Sequence, residues 1–269
     1  MYSQAFFGKL LFVSEITILN ENIAIPADPE IEAMLKAGVH LGHSRSKNHP
    51  SMQEFIYGVR NTTSVIDLTK TKEKLAEALT FLQGVAARRG MILLVGTRPA
   101  AKKVILEVAE NTHMPYFVER WIGGTLTSFK VISKRVEYME TLEREHSSGE
   151  IQKYTKKERL KKGEELEKLK KNFDGIRILK RLPDVLFVVD STQDDTAVRE
   201  AKRIKIPVVA LTDTNADMNV IDFPIPANDD ALPAVRYMVE RIGKAIEEGQ
   251  REQKTQQPVE AKVTEQTVQ

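Results

Sequence analysis

The sequence contains no cysteine, a single tryptophan and few aromatic residues, which make up 6% of its 269 positions. Without cysteine the chain cannot form disulfides, thiolate-ligated zinc sites, iron–sulfur clusters or a thiol nucleophile. It also lacks a long hydrophobic run, because the apolar stretch at 5–19 is interrupted by Lys9 and Glu15 and is too short to span a bilayer. That stretch does not have the layout of a signal peptide. We therefore expect a cytoplasmic protein with no contact to a membrane.

The amino-acid composition is that of a globular protein, and the charged residues are unevenly distributed along the chain. Apolar residues make up 41% and charged residues 29%, which suits a packed core in one or two domains. The net charge is only +2, but residues 36–72 carry six bases and two acids, and residues 130–181 carry sixteen bases and ten acids. Such basic regions indicate a polyanionic partner, because contacts to phosphates release condensed counterions. The alternative is an exposed lysine-rich helix without a partner.

Short β-branched runs alternate with longer amphipathic stretches over most of the chain. The runs that we predict to be strands lie at 64–68, 91–95, 116–118, 185–190, 207–211 and 223–225. Several are apolar almost throughout, which is typical of strands buried on both faces of a parallel sheet. Between them apolar residues recur at helical spacing. The pattern predicts an α/β protein, a three-layer sandwich with a mainly parallel sheet.

One long segment departs from this alternation. Two narrow apolar stripes with charged flanks are separated by a polar turn, and their members are Ile132, Val136, Met139 and Leu142, then Leu160, Leu166, Leu169 and Phe173. Such stripes favour two helices packed on each other along a coiled-coil seam. Thr155 and Glu158 have the spacing of a capping box, which predicts where the second helix begins. We expect residues 131–181 to form an antiparallel helical hairpin inserted into the α/β domain.

The two ends of the chain differ from its middle. Asp28 and Pro29 are a favourable helix start, so we expect the α/β domain to comprise residues 28–130 and 182–248. Residues 1–27 are then an N-terminal extension. Residues 249–269 are rich in Gln, Glu, Lys and Thr and poor in large apolar residues, which predicts a disordered tail.

Two histidines lie at 38–43, within the sequence GVHLGH. His40 and His43 have a spacing that could place both imidazoles on one metal ion, but no third ligand is evident nearby in the sequence. We favour a glycine-rich loop whose donors contact phosphate or ribose, because Arg45 and Lys47 follow directly. We therefore predict no metal site here.

Two further segments follow predicted strands, at the edge where α/β proteins bind ligands. Arg98 follows a Gly-Thr turn and a buried strand, so it could contact an anion together with exposed amides. Arg120 and Trp121 precede a glycine pair, and Trp121 could equally be a hydrophobic anchor. Neither segment has a dinucleotide-binding fingerprint or a phosphate loop, so the sequence predicts no cofactor.

Five aspartates follow two of the predicted strands: Asp190, Asp194, Asp195, Asp213 and Asp217. Paired carboxylates can hold Mg²⁺ or act as an acid and a base. Aspartates are also favoured helix caps and turn formers. Since no nucleophile accompanies them, we interpret these residues as caps or as the site of an incidental ion, and we predict no catalytic residues.

These segments resemble a known family, the bacterial ribosomal protein S2 family. The resemblance rests on MLKAGVHLGH at 34–43, IDLTKT at 66–71, RWIGGTLT at 120–127 and IPANDDA at 225–231, with shorter matches at 60–61, 95–97, 182–184, 206–208 and 213–215. The matches follow the family's order from about residue 30 to 245. The sequence departs from the family pattern at 48–52, where NHPSM lacks an aromatic residue and a cation, and at Ser128, where Asn is expected.

The resemblance implies a Rossmann-like domain with a protruding coiled-coil hairpin and a structural role without catalysis. It implies binding to small-subunit ribosomal RNA between head and body, contacts with neighbouring small-subunit proteins, and support for recruiting ribosomal protein S1. It does not imply a homo-oligomer. Carried over by position, the RNA-facing residues are His40, His43, Arg45, Arg60, Asn61, Arg98, Arg120, Trp121, Thr125 and Lys130.

Two alternatives to RNA binding remain open from the residues. The first is an α/β enzyme acting on a phosphorylated small molecule, with Asp213 or His43 as acid and base. The second treats the basic hairpin as an arm that docks on a protein rather than on RNA.

Overall fold

The computed structural model describes the chain over residues 28–265, with side chains described through residue 252. The predicted N-terminal extension, residues 1–27, lies outside the described residues. The helices of the described part are α1 (Pro29–Ala37), α2 (Leu68–Ala87), α3 (Pro99–Thr112), α4 (Phe129–Ser147), α5 (Lys156–Phe173), α6 (Asp195–Arg203) and α7 (Leu232–Glu265). The strands there are β1 (Leu41–Ser44), β2 (Ile56–Arg60), β3 (Thr63–Ile66), β4 (Ile92–Val95), β5 (Tyr116–Phe117), β6 (Val185–Val188), β7 (Val208–Thr212) and β8 (Phe223–Pro226).

A parallel five-stranded sheet forms the centre of the molecule, in the order β5-β4-β6-β7-β8. Every residue of β4, β6 and β7 is buried, because helices cover both faces. One face packs on α2, α3 and α7 through residues such as Leu82, Ile105 and Met238. The other face packs on α4 and α6 through residues such as Ile132 and Val198. The predicted α/β class with a mainly parallel sheet is confirmed.

A second, antiparallel sheet in the order β1-β3-β2 lies outside this pattern. The strand predicted at 64–68 belongs here as β3 and not to the parallel sheet, and α2 already begins at Leu68. Burial alternates along β3, which is typical of a strand with one covered face. The turn between β2 and β3 consists of Asn61 and Thr62, which have positive φ values of 46° and 70°. Two such residues make the tight turn of a β-hairpin.

Helices α4 and α5 pack against each other along the two predicted stripes. Ile132, Val136, Met139 and Leu142 are buried, as are Leu166, Leu169 and Phe173. The inclusion of Leu160 in this seam was wrong, because its side chain is 66% exposed. Leu160 and Leu166 are six residues apart in the helix. At about 100° of rotation per residue, their side chains point about 120° apart around the helix axis. The capping box of Thr155 and Glu158 is present at the start of α5.

Ion pairs flank the contact between α4 and α5. Glu145 binds Lys162 at 2.8 Å, and Glu143 binds both Lys170 and Arg177 at 2.5 Å. The hydrogen bonds from Arg177 and Lys170 lower the pKa of Glu143 to about 2. The charged flanks that the sequence shows around each stripe therefore pair across the two helices.

The last helix extends into the segment 249–269 that the sequence predicts to be disordered, since α7 ends at Glu265, the last of the described residues. Gln, Glu and Lys are good helix formers, so the lack of large apolar residues after 249 does not prevent a helix. At Gly249 the helix lies so close to α2 that a Cβ atom would be 2.3 Å from the Gln83 carbonyl oxygen. In the described part of the chain, no helix is long and apolar enough to cross a membrane.

Candidate functional site

The carboxyl ends of the parallel strands bring several of the singled-out residues to one edge of the sheet. Arg98 follows β4, Asp190 follows β6, Asp213 follows β7, and Asp229 with Asp230 follows β8. Because parallel strands end at the same edge, residues distant in sequence become neighbours. These five residues and His43, which lies in β1, form a group that we call the strand-end cluster.

The sequence suggested that Arg98 could contact an anion, but the structure shows that it is not free to do so. Its Nε donates to Oδ2 of Asp190, and its Nη1 contacts Oδ1 of Asp230. The neighbouring Thr97 hydroxyl donates to Asp194 at 3.0 Å. The guanidinium is thus neutralised by two carboxylates within the protein, and this edge of the sheet has a surplus of acids.

The two histidines of the GVHLGH segment have different surroundings, and the segment is not the loop that we expected. Its second half lies in β1. His40 is buried, so its imidazole does not face solvent, and this burial lowers its pKa. His43 Nδ1 lies 2.8 Å from Asp213 Oδ2, and its Nε2 lies 3.4 Å from Asp230 Oδ2. Both imidazoles therefore face protein groups.

The glycine loop at 120–127 is organised around Glu200 of α6. The Glu200 carboxylate accepts hydrogen bonds from the backbone amides of Gly124, Leu126 and Thr127, at 2.7 to 3.1 Å. It also accepts from the Thr127 hydroxyl at 3.1 Å and from the Trp121 indole at 3.2 Å. Burial alone would raise the pKa of Glu200, but these hydrogen bonds outweigh burial and lower it.

Trp121 and Thr125 lie inside this loop and not on its surface. Trp121 is 7% exposed and packs against Phe117 with ring centroids 5.0 Å apart. Thr125 is fully buried, and its hydroxyl donates to the Ile122 carbonyl at 2.6 Å. Their side chains fix the shape of the loop, so the hydrophobic-anchor interpretation of Trp121 fits the structure.

Sequence reasoning missed Glu200, although a signal was present. Residue 200 shares a helix face with Ala197 and Ala201, which are both buried. A carboxylate on the apolar face of a short helix needs hydrogen-bond donors from elsewhere in the chain. The donors come from the glycine loop, about 75 residues earlier, a distance that no local spacing reveals.

Exposed cations gather at one end of the small antiparallel sheet. Arg60 ends β2, Asn61 forms the hairpin turn, and Arg45 begins a short 3₁₀ turn that includes Lys47. The Arg45 amide donates to the Thr62 carbonyl at 2.9 Å, which holds the 3₁₀ turn beside the hairpin turn. All four side chains are exposed. We call Arg45, Lys47, Arg60 and Asn61 the hairpin patch.

Arg120 and Lys130 are also exposed, on either side of the glycine loop. Arg120 and Trp121 line a cleft of about 630 Å³ whose other walls include Thr97, Lys102 and Asp194. Burial raises the pKa of Asp194 to about 6. The cleft thus carries charges of both signs, and Arg120 lies at its exposed side.

Two of the other aspartates, Asp190 and Asp217, accept hydrogen bonds from the backbone amides of the turns that follow them. Asp190 Oδ1 accepts from the amides of Thr192 and Gln193, each at 2.8 Å, and Asp217 caps the turn Met218–Val220. Asp195 pairs with Arg199 one helical turn away. Asp213 differs, because it faces His43 within the strand-end cluster.

Comparison with known proteins gives one consistent family. The family model described as ribosomal protein S2 matches residues 34–249, a range that contains the hairpin patch, the glycine loop and the strand-end cluster. The chain is 44% identical over 217 residues to the small ribosomal subunit protein uS2 of Thermus thermophilus, covering 81% of this chain and 85% of the relative. It is 42% identical over 219 residues to the protein of the same name from Roseiflexus castenholzii, covering 81% and 83%.

Proposed function

Because the chain belongs to the ribosomal protein S2 family, we propose that it is a structural component of the small ribosomal subunit that binds ribosomal RNA between the head and the body. Members of this family are structural proteins and not enzymes, which argues against the alternative of an enzyme for phosphorylated small molecules. The pairing of Arg98 with Asp190 and Asp230 argues against that alternative as well, since it neutralises the cation that follows β4.

The observation that carries the RNA-binding proposal is the hairpin patch. Arg45, Lys47 and Arg60 are exposed cations, and none of them has an ion-pair partner among the described residues. They sit on rigid backbone, because a strand end and two tight turns fix their positions. Cations that are unpaired and held close together are suited to neutralise neighbouring phosphates. Arg120 in the glycine loop and Lys130 in α4 provide a second contact.

The other residues of the predicted RNA-facing set have an indirect role in this proposal. Trp121 and Thr125 shape the loop that presents Arg120. His40 is buried, and its carbonyl accepts a hydrogen bond from the Ile66 amide of β3, in the small sheet that presents the hairpin patch. His43 and Arg98 hold the strand-end cluster together. We therefore propose that RNA contacts come from Arg45, Lys47, Arg60, Asn61, Arg120 and Lys130.

A salt titration of RNA binding tests this proposal. Each lost phosphate contact reduces the slope of log affinity against log salt by about 0.7–0.9. Changing Arg45, Lys47 and Arg60 together to Ala should lower that slope by about 2–3 for a small-subunit RNA fragment. The matched control is Lys244→Ala, an exposed cation on α7. Equal slopes for the triple variant and the control would overturn the assignment of the hairpin patch.

We also propose contacts with neighbouring small-subunit proteins, including support for recruiting ribosomal protein S1, as the family resemblance implies. In this proposal residues 131–181 form one unit inserted between the two parts of the α/β domain, 28–130 and 182–248, and the chain acts as a single copy in the cytoplasm. The amount of S1 on small subunits from cells depleted of this chain is the direct test. An unchanged amount would contradict a role in recruitment.

The basic hairpin supports protein contacts as a second part of the proposal. Four exposed cations, Lys156, Lys157, Arg159 and Lys161, lie within four residues of the exposed Leu160 at the start of α5. An exposed apolar side chain near several cations suits an acidic protein surface better than a phosphate backbone. Changing Lys156, Lys157 and Lys161, which are exposed, to Ala should weaken binding of neighbouring proteins and leave RNA affinity unchanged. Loss of RNA affinity instead would assign the hairpin to RNA.

A further inference from the structure

One face of the small antiparallel sheet is open to solvent, and the pairing of its strands identifies the residues on that face. Ser64 and Ile66 of β3 are buried, so Thr63 and Val65, which alternate with them, lie on the opposite, open face. Side chains directly opposite each other on neighbouring strands share a face. The open face therefore also carries the cross-strand partners of these two residues, namely Leu41, Ser44, Gly58 and Arg60.

Tyr57 joins this face through an irregularity in β2. Ile56 pairs with Ile66, whereas Gly58, two residues further along β2, pairs with Val65, only one residue away in β3. Tyr57 is thus an extra residue that opposes Val65 together with Gly58, which is the pattern of a β-bulge. A bulge aims a side chain away from the regular alternation of the strand. Tyr57 is 68% exposed, the highest value among the large hydrophobic residues that the structure describes.

The ring of Tyr57 has no partner in the part of the chain that the structure describes. It stacks on no other aromatic ring there, no cation lies over it, and its hydroxyl makes no hydrogen bond. In contrast, the Lys162 ammonium lies 3.7 Å from the ring centroid of Tyr154. Next to Tyr57, a Cβ atom placed on Gly58 would meet no atom within 4 Å. A flat aromatic ring therefore borders open space on the surface of the sheet.

The charge beside this ring indicates which partner it fits. Arg60 lies on the same face, and Arg45 and Lys47 lie in the 3₁₀ turn that is hydrogen-bonded to the hairpin turn. Proteins bind single-stranded nucleic acid with exposed aromatic rings, on which bases stack, next to cations that neutralise the phosphates. A base inside a duplex is already stacked on its neighbours. The combination of Tyr57 with the hairpin patch therefore fits RNA that has unpaired bases.

A strand from another protein fits this place less well. Among the described strands β2 is an edge strand, because it pairs only with β3, and a free edge can accept an added strand. Strand addition requires a regular row of backbone N–H and C=O groups. The bulge at Tyr57 interrupts that row, and the charged Arg60 follows it. Bulges and charged side chains are features that protect edge strands from pairing with other chains.

We propose that Tyr57 is a stacking platform for an unpaired RNA base, so that the hairpin patch recognises a single-stranded segment or a loop and not a regular duplex. This inference rests on the proposed function, because it names the form of RNA that the hairpin patch binds. Arg60 neutralises a phosphate next to the stacked base. Since every base has a flat face, the platform accepts any base, and stacking adds affinity without releasing counterions.

Binding of the full chain to two RNAs tests this proposal: a short single strand of mixed sequence and the duplex that it forms with its complement. In Tyr57→Ala we expect the affinity for the single strand to fall by about 5- to 150-fold, which corresponds to the loss of one base stacked on an aromatic ring. The affinity for the duplex should stay unchanged. The slope of log affinity against log salt should also stay unchanged, because no phosphate contact is lost.

Two further variants serve as matched controls. Tyr57→Phe keeps the ring and should keep the affinity for the single strand. Val59→Ala removes an apolar side chain of the same strand that is 48% exposed but pairs with Ser64 of the other face, so it should bind both RNAs like the unaltered chain.

Tyr57→Trp adds a spectroscopic readout, because the one tryptophan of the chain, Trp121, is buried. The fluorescence of the introduced indole should be quenched by the single strand and not by the duplex. Quenching of equal size by both RNAs would overturn the stacking of an unpaired base.

The outcomes separate this inference from the proposed function. Equal affinity of Tyr57→Ala and the unaltered chain for the single strand would overturn the inference, as would equal losses for both RNAs or the same loss in Val59→Ala. The proposed function would survive these results if changing Arg45, Lys47 and Arg60 still lowers the salt slope. If the unaltered chain binds neither RNA, both are wrong. Unchanged RNA affinity of Tyr57→Ala with weaker binding of small-subunit proteins would assign this face to a protein.

Discussion

Replacing Glu200 should destabilise the whole glycine loop, although the residue is far from that loop in sequence. Its carboxylate accepts from three backbone amides, one hydroxyl and one indole N–H. In Glu200→Ala the indole N–H of Trp121 and the amide of Leu126 lose their acceptor in a buried environment. Each buried donor left without an acceptor costs about 1–3 kcal/mol. We therefore expect the free energy of unfolding to fall by about 2–6 kcal/mol.

Glu200→Gln separates the charge from the shape of the side chain. The amide keeps one acceptor oxygen but places an NH₂ group against the donors of Leu126 and Thr127, or against those of Trp121 and Gly124. We expect a loss of about 2 kcal/mol, smaller than for Ala.

Urea unfolding followed by circular dichroism measures both losses, with Glu164→Gln as the matched control on an exposed position of α5. Hydrogen exchange at the Leu126 amide reports on the loop itself, and it should accelerate in both Glu200 variants. A change below about 0.5 kcal/mol in Glu200→Ala, which is typical of an ordinary surface substitution, would refute the assignment of Glu200 as the organising residue.

Three further changes test the fold. Thr62 is a β-branched residue with a φ of 70°, a backbone conformation that is strained for such a residue and not for glycine. Thr62→Gly should therefore raise the free energy of unfolding in urea titrations by about 1 kcal/mol; a lower free energy of unfolding would show that Thr62 is not strained. Met139→Ala should lower it by about 2–5 kcal/mol, since Met139 is fully buried; an unchanged urea midpoint would contradict its packing. Glu143, whose pKa is lowered to about 2 from 4.5, stabilises the fold above pH 4.5 and loses this contribution as pH falls towards 2. Glu143→Gln should therefore differ from the unaltered chain in melting temperature much more at pH 6 than at pH 2, and an equal difference at both would refute the ion pairs.

The parallel sheet was predictable because the amino-acid composition of its strands indicates that they are buried. The residues of β4 and β6 are apolar throughout, a pattern that arises only when both faces are covered. The small antiparallel sheet was harder to predict. Its β1 contains Gly42, which has low strand propensity, and β1 is held by pairing with β3. Long-range pairing leaves no local signal in the sequence.

Some features of the candidate site could also be predicted from the sequence, and others could not. Exposed cations such as Arg45 and Arg60 could be inferred from local charge alone. The neutralisation of Arg98 could not, because its partners Asp190 and Asp230 follow different strands and meet it only after the sheet has formed. The burial of Trp121 likewise depends on Glu200 and on the position of α6. Tertiary contacts therefore decided which motif residues reach the surface.

Sedimentation of a cell lysate tests whether this chain is part of the small ribosomal subunit. Sucrose gradients at high and low magnesium join and then separate the ribosomal subunits, and the chain is followed by immunoblot. We expect the chain to sediment with the small subunit in both conditions and to leave it only at high salt, as phosphate contacts require. A chain that remains at the top of both gradients as free protein would not be a component of the subunit.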